Sequence, residues 1–259
     1  MRKIAYLVLL LSGFATWVQA LAQAPVQLSP IRQIRKGVDA WPLILNPNTD
    51  AERRINRHLN DLNAQLSHYL KDCHDNYVQM IGNQHRPANK KDEEGAEFWT
   101  QVVKVTMSGP VFLSLVATTG FYCGGAHPYG YISAAVFDLS TGERVDPLRW
   151  FQPSLKVSLV EEDTDNPALE KSVSAVGLLE AYREATNHEC DQTFSDDQPF
   201  LIWPDGTSGK VVIQAVRLPG CCQACGIEIG LTLEQARKLG FSGTFLEAVS
   251  DAHKGPAPR

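Results

Sequence analysis

The chain has 259 residues, 44% of them hydrophobic and 20% charged, the proportions of an ordinary globular protein. It is long enough to bury a real core, in one domain or in two closely packed subdomains. Lys and Arg number 24 against 29 Asp and Glu, a formal charge of −5, which gives no sign of a nucleic-acid partner and modestly favours a cationic one.

Arg2 and Lys3 form a positive start, Ile4 to Trp17 is a largely apolar run, and small residues follow at Ala20, Ala22 and Ala24. This is the pattern of a secretory signal over residues 1–24, with Ala22-Gln23-Ala24 as the cleavage site and Val18-Gln19-Ala20 as the alternative. The run is shorter than the roughly 20 apolar residues that span a bilayer. No later stretch approaches that length, so no membrane span is expected after cleavage. The expected location is the periplasm or the exterior, and loss of Arg2 and Lys3 takes the formal charge to −7. Six cysteines follow: Cys73, Cys123, Cys190, Cys221, Cys222 and Cys225. In an oxidising compartment an even set is read first as disulfides, in pairings that the sequence does not choose. Adjacent Cys221 and Cys222 are expected to reach different strands, or the helix near Cys73, rather than each other.

Val38 to Leu45 reads as a strand that ends at the Asn46-Pro47-Asn48 turn. A helix then opens on a capping box, Thr49 with Glu52, and carries an apolar stripe of Ile55, Leu59, Leu62, Leu66 and Tyr69. Asn83 to Gly95 is a polar surface loop. Phe98 to Met107, Val111 to Thr119 and Tyr131 to Leu139 read as three strands with turns at Ser108-Gly109-Pro110 and Ser140-Thr141-Gly142. Apolar residues occupy odd and even positions in all three, which predicts a sheet covered on both faces. Val145 to Phe151 leaves that sheet. Asn166-Pro167 opens a second helix with a stripe of Leu169, Val173, Val176, Leu179 and Tyr182, ending near His188. Phe200 to Trp203 and Val211 to Arg217 form a hairpin around Asp205-Gly206, and Gly226 to Leu231 is a last strand. A short helix runs from the Thr232 cap, with Gln235, to Gly240. The reading is an α+β domain over residues 25–245, helices packed on a largely antiparallel sheet, with residues 246–259 a flexible tail.

One stretch stands out: Phe121-Tyr122-Cys123-Gly124-Gly125-Ala126-His127-Pro128, followed by Asp138-Leu139-Ser140-Thr141-Gly142. Two glycines in a row allow a sharp turn or the close approach of another surface. The Tyr-x-Gly-Gly-Ala-His block at Tyr122 to His127 and the Asp-Leu-x-Thr-Gly block at Asp138 to Gly142 resemble those of the RsiV-like extracytoplasmic domain. That domain is found in lysozyme-sensing anti-sigma factors and beside some peptidoglycan deacetylases. The likeness runs from about Val38 to Leu239 and takes in Trp41 to Ile44, Ile55-Asn56, Leu148 to Phe151 and Gly226 to Leu239. The cysteines within the matched blocks depart from the pattern, and no anti-sigma segment or deacetylase domain is recognisable. The resemblance implies an α+β extracytoplasmic module, and lysozyme binding as a property of some relatives. It does not carry sigma-factor regulation to this chain.

Candidate chemistry is sparse. His127 is a base, a metal ligand or a partner contact on the functional side, and a turn-fixing histidine on the structural one. Asp138 with Thr141 and Gly142 is most simply an Asp-initiated turn. Cys222-Gln223-Ala224-Cys225 has the spacing of a redox or zinc pair, with Cys221 nearby and His127 as the fourth ligand of a zinc set, but export favours disulfides. His188 to Asp191 is treated as chance. The acidic groups at 92–94, 161–163 and 196–197 are solvated loops, or one is the footprint of a basic protein. His-Glu-x-x-His, Gly-x-Ser-x-Gly, Ser-x-x-Lys and phosphate-loop signatures are missing, which weighs against an enzyme; no catalytic residue, cofactor or metal is assigned. The expected function is an exported module that binds a protein or glycan of the cell envelope, a lysozyme-like protein being one candidate. Its surface would centre on Tyr122, Gly124, Gly125, His127 and Tyr129. The alternatives are an envelope hydrolase, in one version metal-dependent through His127, and an immunity protein against a secreted wall-degrading toxin.

Overall fold

A computed structural model describes residues 25–84, 98–124, 127–160 and 171–255. The signal segment, the acidic groups at 92–94 and 161–163 and the helix start at Asn166 lie outside these residues. Two five-stranded sheets carry the fold. The first has the order β1 (Gln33–Arg35), β2 (Val38–Asp39), β3 (Phe98–Ser108), β4 (Phe112–Tyr122), β5 (Tyr129–Asp138), antiparallel except where β2 meets β3. The second runs β10 (Ile229–Leu231), β9 (Lys210–Ala215), β8 (Phe200–Asp205), β7 (Ser172–Ser174), β6 (Ser158–Val160), antiparallel throughout. With helices α1 (Asp50–Gln84), α2 (Val176–Ala185), α3 (Leu233–Lys238) and α4 (Gly243–Lys254), this is the α+β architecture expected from the sequence.

Sheet one separates two cores. Leu113, Leu115 and Ala117 of β4, with Ala135 and Phe137 of β5, pack with Ile55 and Leu59 of α1 and with Trp41 and Ile44. The alternate positions Phe112, Val116, Ile132, Ala134 and Val136 join a core shared with β8, β9, α2, α3 and α4. β8 lies against β3, β4 and β5. Residues 112–117 are buried without a break, so β4 must be apolar on both faces, as its pattern predicts.

The Thr49–Glu52 capping box forms at the start of α1, each residue satisfying the other's backbone N–H. The apolar stripe continues past Tyr69 through Leu70, Cys73 and Tyr77, all buried. The strand expected over Val38 to Leu45 is sheet only at Val38–Asp39. Beyond it one edge of the backbone bonds to side chains of α1, while residues 43–45 meet residues 27–29 on the other through the Leu28–Ile44 antiparallel bridge. Asn63 accepts the Trp41 N–H at 2.8 Å and donates to its carbonyl at 3.0 Å, and Asn56 does the same for Ile44 at 2.7 and 2.9 Å. Two carboxamides thus stand in for a neighbouring strand, satisfying groups that burial would otherwise orphan.

Three further expectations are corrected. Val173 belongs to β7 and not to a helix, and Val176 is 66% exposed in the first turn of α2, whose core residues are Leu178, Leu179 and Tyr182. The last strand is shorter than expected, Ile229–Leu231 in place of Gly226 to Leu231, because the Gly226 carbonyl and the Ile227 N–H bond to the side chains of Gln214 and Tyr182. The tail expected from residue 246 is helical as far as Lys254, with Leu246, Ala248 and Val249 buried beside Phe245.

The Asp138 carboxylate accepts the N–H groups of Ser140 at 2.7 Å and Thr141 at 3.2 Å, the turn that its sequence pattern predicts. Gly142 closes that turn at φ +76°, and a Cβ there would stand 2.8 Å from Ala51 Cα. Gly142→Ala combines left-handed strain with a backbone clash against the first turn of α1. It is expected to lower the stability measured by urea unfolding by about 1–3 kcal/mol.

Candidate functional site

The aromatic end of the β4–β5 hairpin is built by register. Trp99 of β3 lies opposite Phe121 of β4, and Phe121 lies opposite Tyr129 of β5. Their rings stand in a row across three strands, with centroids 4.8 and 6.0 Å apart and interplanar angles of 24° and 28°. Tyr69 of α1 adds a fourth ring, 6.4 Å from Trp99. Each such pair contributes about 0.5–1.5 kcal/mol beyond the burial of its surface. The row runs from inside to outside, since Trp99 is buried while Tyr129, on the edge strand, is 49% exposed.

Tyr131 sits edge-on to Phe121, with centroids 6.0 Å apart. Burial pushes its phenol above the usual tyrosine range, while a hydrogen bond with Thr119 opposes that rise. Thr119 in turn donates to Gln101 Oε1 at 3.2 Å, and Gln101 donates to the Asp39 carbonyl at 2.8 Å. A polar chain therefore holds the sheet end that carries the rings.

A cleft of about 410 Å³ opens beside this edge, between the hairpin end and the second sheet. Phe121, Tyr129 and Tyr131 line one side; Gln214, Arg217 and Gln223, from β9 and the turn after it, line the other. Its volume falls in the range of small-ligand sites, and its mix of rings with a few polar groups is their usual composition. Tyr182 of α2 holds the far wall. Its hydroxyl accepts the Ile227 N–H at 2.8 Å and donates toward the carbonyls of Ile227 at 2.7 Å and Cys225 at 2.9 Å.

Of the residues expected to bind, Tyr129 lines the cleft. Tyr122 is drawn into a separate contact with Tyr77 and Phe98. Gly124 has φ +92° and lies over Met80, whose Sδ a Cβ would meet at 2.9 Å, so the close approach allowed by glycine is to the protein's own helix. His127 is exposed on the bend before β5, and Gly125 falls outside the described residues. Phe121 opens the stretch that stands out in the sequence but is not among the residues expected to bind, and Tyr131, Gln214, Arg217 and Gln223 were not singled out; the signal was the repeated aromatic residue at the ends of three consecutive strands.

Four of the six cysteines are bridged: Cys73 to Cys123, which ties α1 to the end of β4, and Cys190 to Cys225, which ties the segment after α2 to the cleft wall. Cys221 and Cys222 are free thiols, the first exposed and the second half-buried, so neither makes the long-range bridge expected of it. Because Cys225 is bonded to Cys190, it is no thiolate partner for Cys222 in a zinc or dithiol pair. Among the described residues no group of three or more His, Cys, Asp or Glu is placed to hold a metal ion, and no helix is long and apolar enough to cross a membrane.

No protein-family profile matches the chain, and no curated protein matches it significantly in sequence. Solved structures with a similar chain path include a member of the DUF3298 family from Bacteroides fragilis, with a TM-score of 0.49 and 12% identity, covering 82% of this chain and 87% of that one. A DUF3298 family protein from Pseudomonas aeruginosa gives a TM-score of 0.42 and 13% identity, covering 86% of this chain and 93% of that one.

Tyr182→Phe keeps the ring and removes the hydroxyl that serves Ile227 and Cys225. The Ile227 N–H then loses its partner behind the cleft wall. A loss of about 1–3 kcal/mol in urea unfolding is expected.

Proposed function

We propose that the protein is an exported binding module of RsiV-like kind. It recognises a protein or glycan of the cell envelope at the aromatic edge of sheet one and the cleft beside it. The observation that carries this reading is the ring row that ends half-exposed at Tyr129 over the cleft. A ring held rigidly from behind by Phe121 and Trp99 loses little side-chain freedom when a partner covers it, which is the property of an interface anchor. Glutamines and an arginine opposite supply donors and acceptors for orientation. The same edge belongs to β5, whose outer side has no strand paired to it among the described residues.

Two disulfides support the exported setting, since such bonds persist in oxidising compartments. The net negative charge favours a basic partner, and the Tyr122 to His127 and Asp138 to Gly142 blocks make a lysozyme-like muramidase the first candidate.

Biolayer interferometry of residues 25–259 against a panel of lysozymes, at low and at physiological salt, tests this reading. Submicromolar binding that survives physiological salt is expected, and Tyr129→Ala is expected to weaken it about tenfold or more, equal to about 1.4 kcal/mol. His127→Ala, on the neighbouring bend, is expected to weaken it as well. Binding lost at physiological salt would reduce the interaction to general charge attraction. Full affinity in the Tyr129→Ala chain would place the interface elsewhere.

A further inference from the structure

The 3₁₀ helix Gly220–Cys225 carries three cysteines in six residues. In such a helix residues three apart eclipse one another and the rise is about 2.0 Å per residue. Cys222 and Cys225 therefore stand on one face with Cα atoms about 6 Å apart. That lies inside the span of about 4.4–6.8 Å that a disulfide bridges without backbone movement. The existing partner of Cys225, Cys190, has its Cα at 5.9 Å. Cys225 thus has two cysteines at matched Cα spacing, one bonded to it and one a free thiol.

We infer that the Cys190–Cys225 bridge is exchangeable, with Cys222 as the internal nucleophile. Cys222 gives its proton to solvent, and its thiolate attacks Cys225 Sγ. A Cys222–Cys225 bond forms as the Cys190–Cys225 bond breaks, and Cys190 leaves as a thiolate that takes up a proton. One disulfide and one thiol stand on each side, the proton lost by Cys222 is matched by the one gained at Cys190, and no oxidant or reductant is consumed. Cys221 does not fill this role. Four residues from Cys225, it is turned by about 120° from the shared face. Its hydrogen bond with Cys222 also pushes its thiol above the usual cysteine range.

The exchange acts on the cleft. Gln223 and Gly226, which line it, lie within and just after the helix that would change partners. In one isomer this wall is tied to the segment following α2; in the other it is tied only to itself, and Cys190 is released. The two disulfide isomers are two shapes of the same wall, set by thiol–disulfide chemistry and independent of what the cleft binds.

The test is disulfide mapping of native chains held in mildly alkaline buffer, then quenched in acid, denatured, alkylated and digested. In the wild type and in Cys221→Ser, Cys190 is expected to be alkylated in about a tenth or more of chains, the fraction allowed by a tenfold preference for the original bridge. In Cys222→Ser it is expected to stay unmodified. Cys190→Ser is expected to hold a Cys222–Cys225 bridge and to leave Cys221 as the alkylated thiol of the helix. An unmodified Cys190 in the wild type overturns the inference, as does its equal alkylation in Cys222→Ser. A Cys190→Ser chain alkylated at Cys221, Cys222 and Cys225 overturns the geometry behind it.

Discussion

The burial of β4 on both faces is the constraint from which the rest of the molecule follows. Leu113, Leu115 and Ala117 serve the core under α1, while Phe112 and Val116 serve the core shared with sheet two. A slip of one residue would send each set to the wrong side. Ser114, fully buried among them, is tolerable only because the Thr106 hydroxyl meets its Oγ at 2.7 Å. The register that satisfies both cores also carries Phe121 to a place between Trp99 and Tyr129. The aromatic edge is therefore set by packing demands far along the same strand.

The second sheet completes the site without sharing a strand with the first. Its contribution is a wall, β9 with the cysteine-rich turn after it, held from behind by the Tyr182 hydroxyl and by the bridge to Cys190. The floor on sheet one is held by stacked rings, whereas the wall on sheet two is held by the pairing of β9 with β8 and β10, the Gln214–Gly226 hydrogen bond, the Tyr182 hydroxyl and the Cys190–Cys225 bridge.

Much of the architecture was legible wherever one local rule decided the outcome. The capping boxes at Thr49 and Thr232, the stripe of α1, the three long strands and the Asp138 turn all follow from periodicity or side-chain chemistry within a few residues. Failures came where two elements shared one pattern or where a distant group intervened. Val173 and Val176 keep helical spacing with Leu179, yet a strand and a helix meet between them. The stretch from Trp41 to Ile44 is extended like a strand, but one edge is served by asparagine side chains that no pairing rule on sheets anticipates, and the other by a single bridge at Leu28. α4 buries Phe245, Leu246, Ala248 and Val249, a stripe too short to stand out. The candidate site was legible only in part, because Tyr129 could be read from its block, whereas its stacking on Phe121 and Trp99 exists only once the register does.

The bridge between Cys73 and Cys123 has a topological consequence. It closes a covalent ring whose members include the last third of α1, β3 and β4. A peptide bond cut by a protease anywhere between those two cysteines leaves both fragments attached to one molecule through the bridge. A severing event thus becomes a nick. The ends at the cut gain freedom, but the chain on either side keeps the short search distance that a single molecule provides.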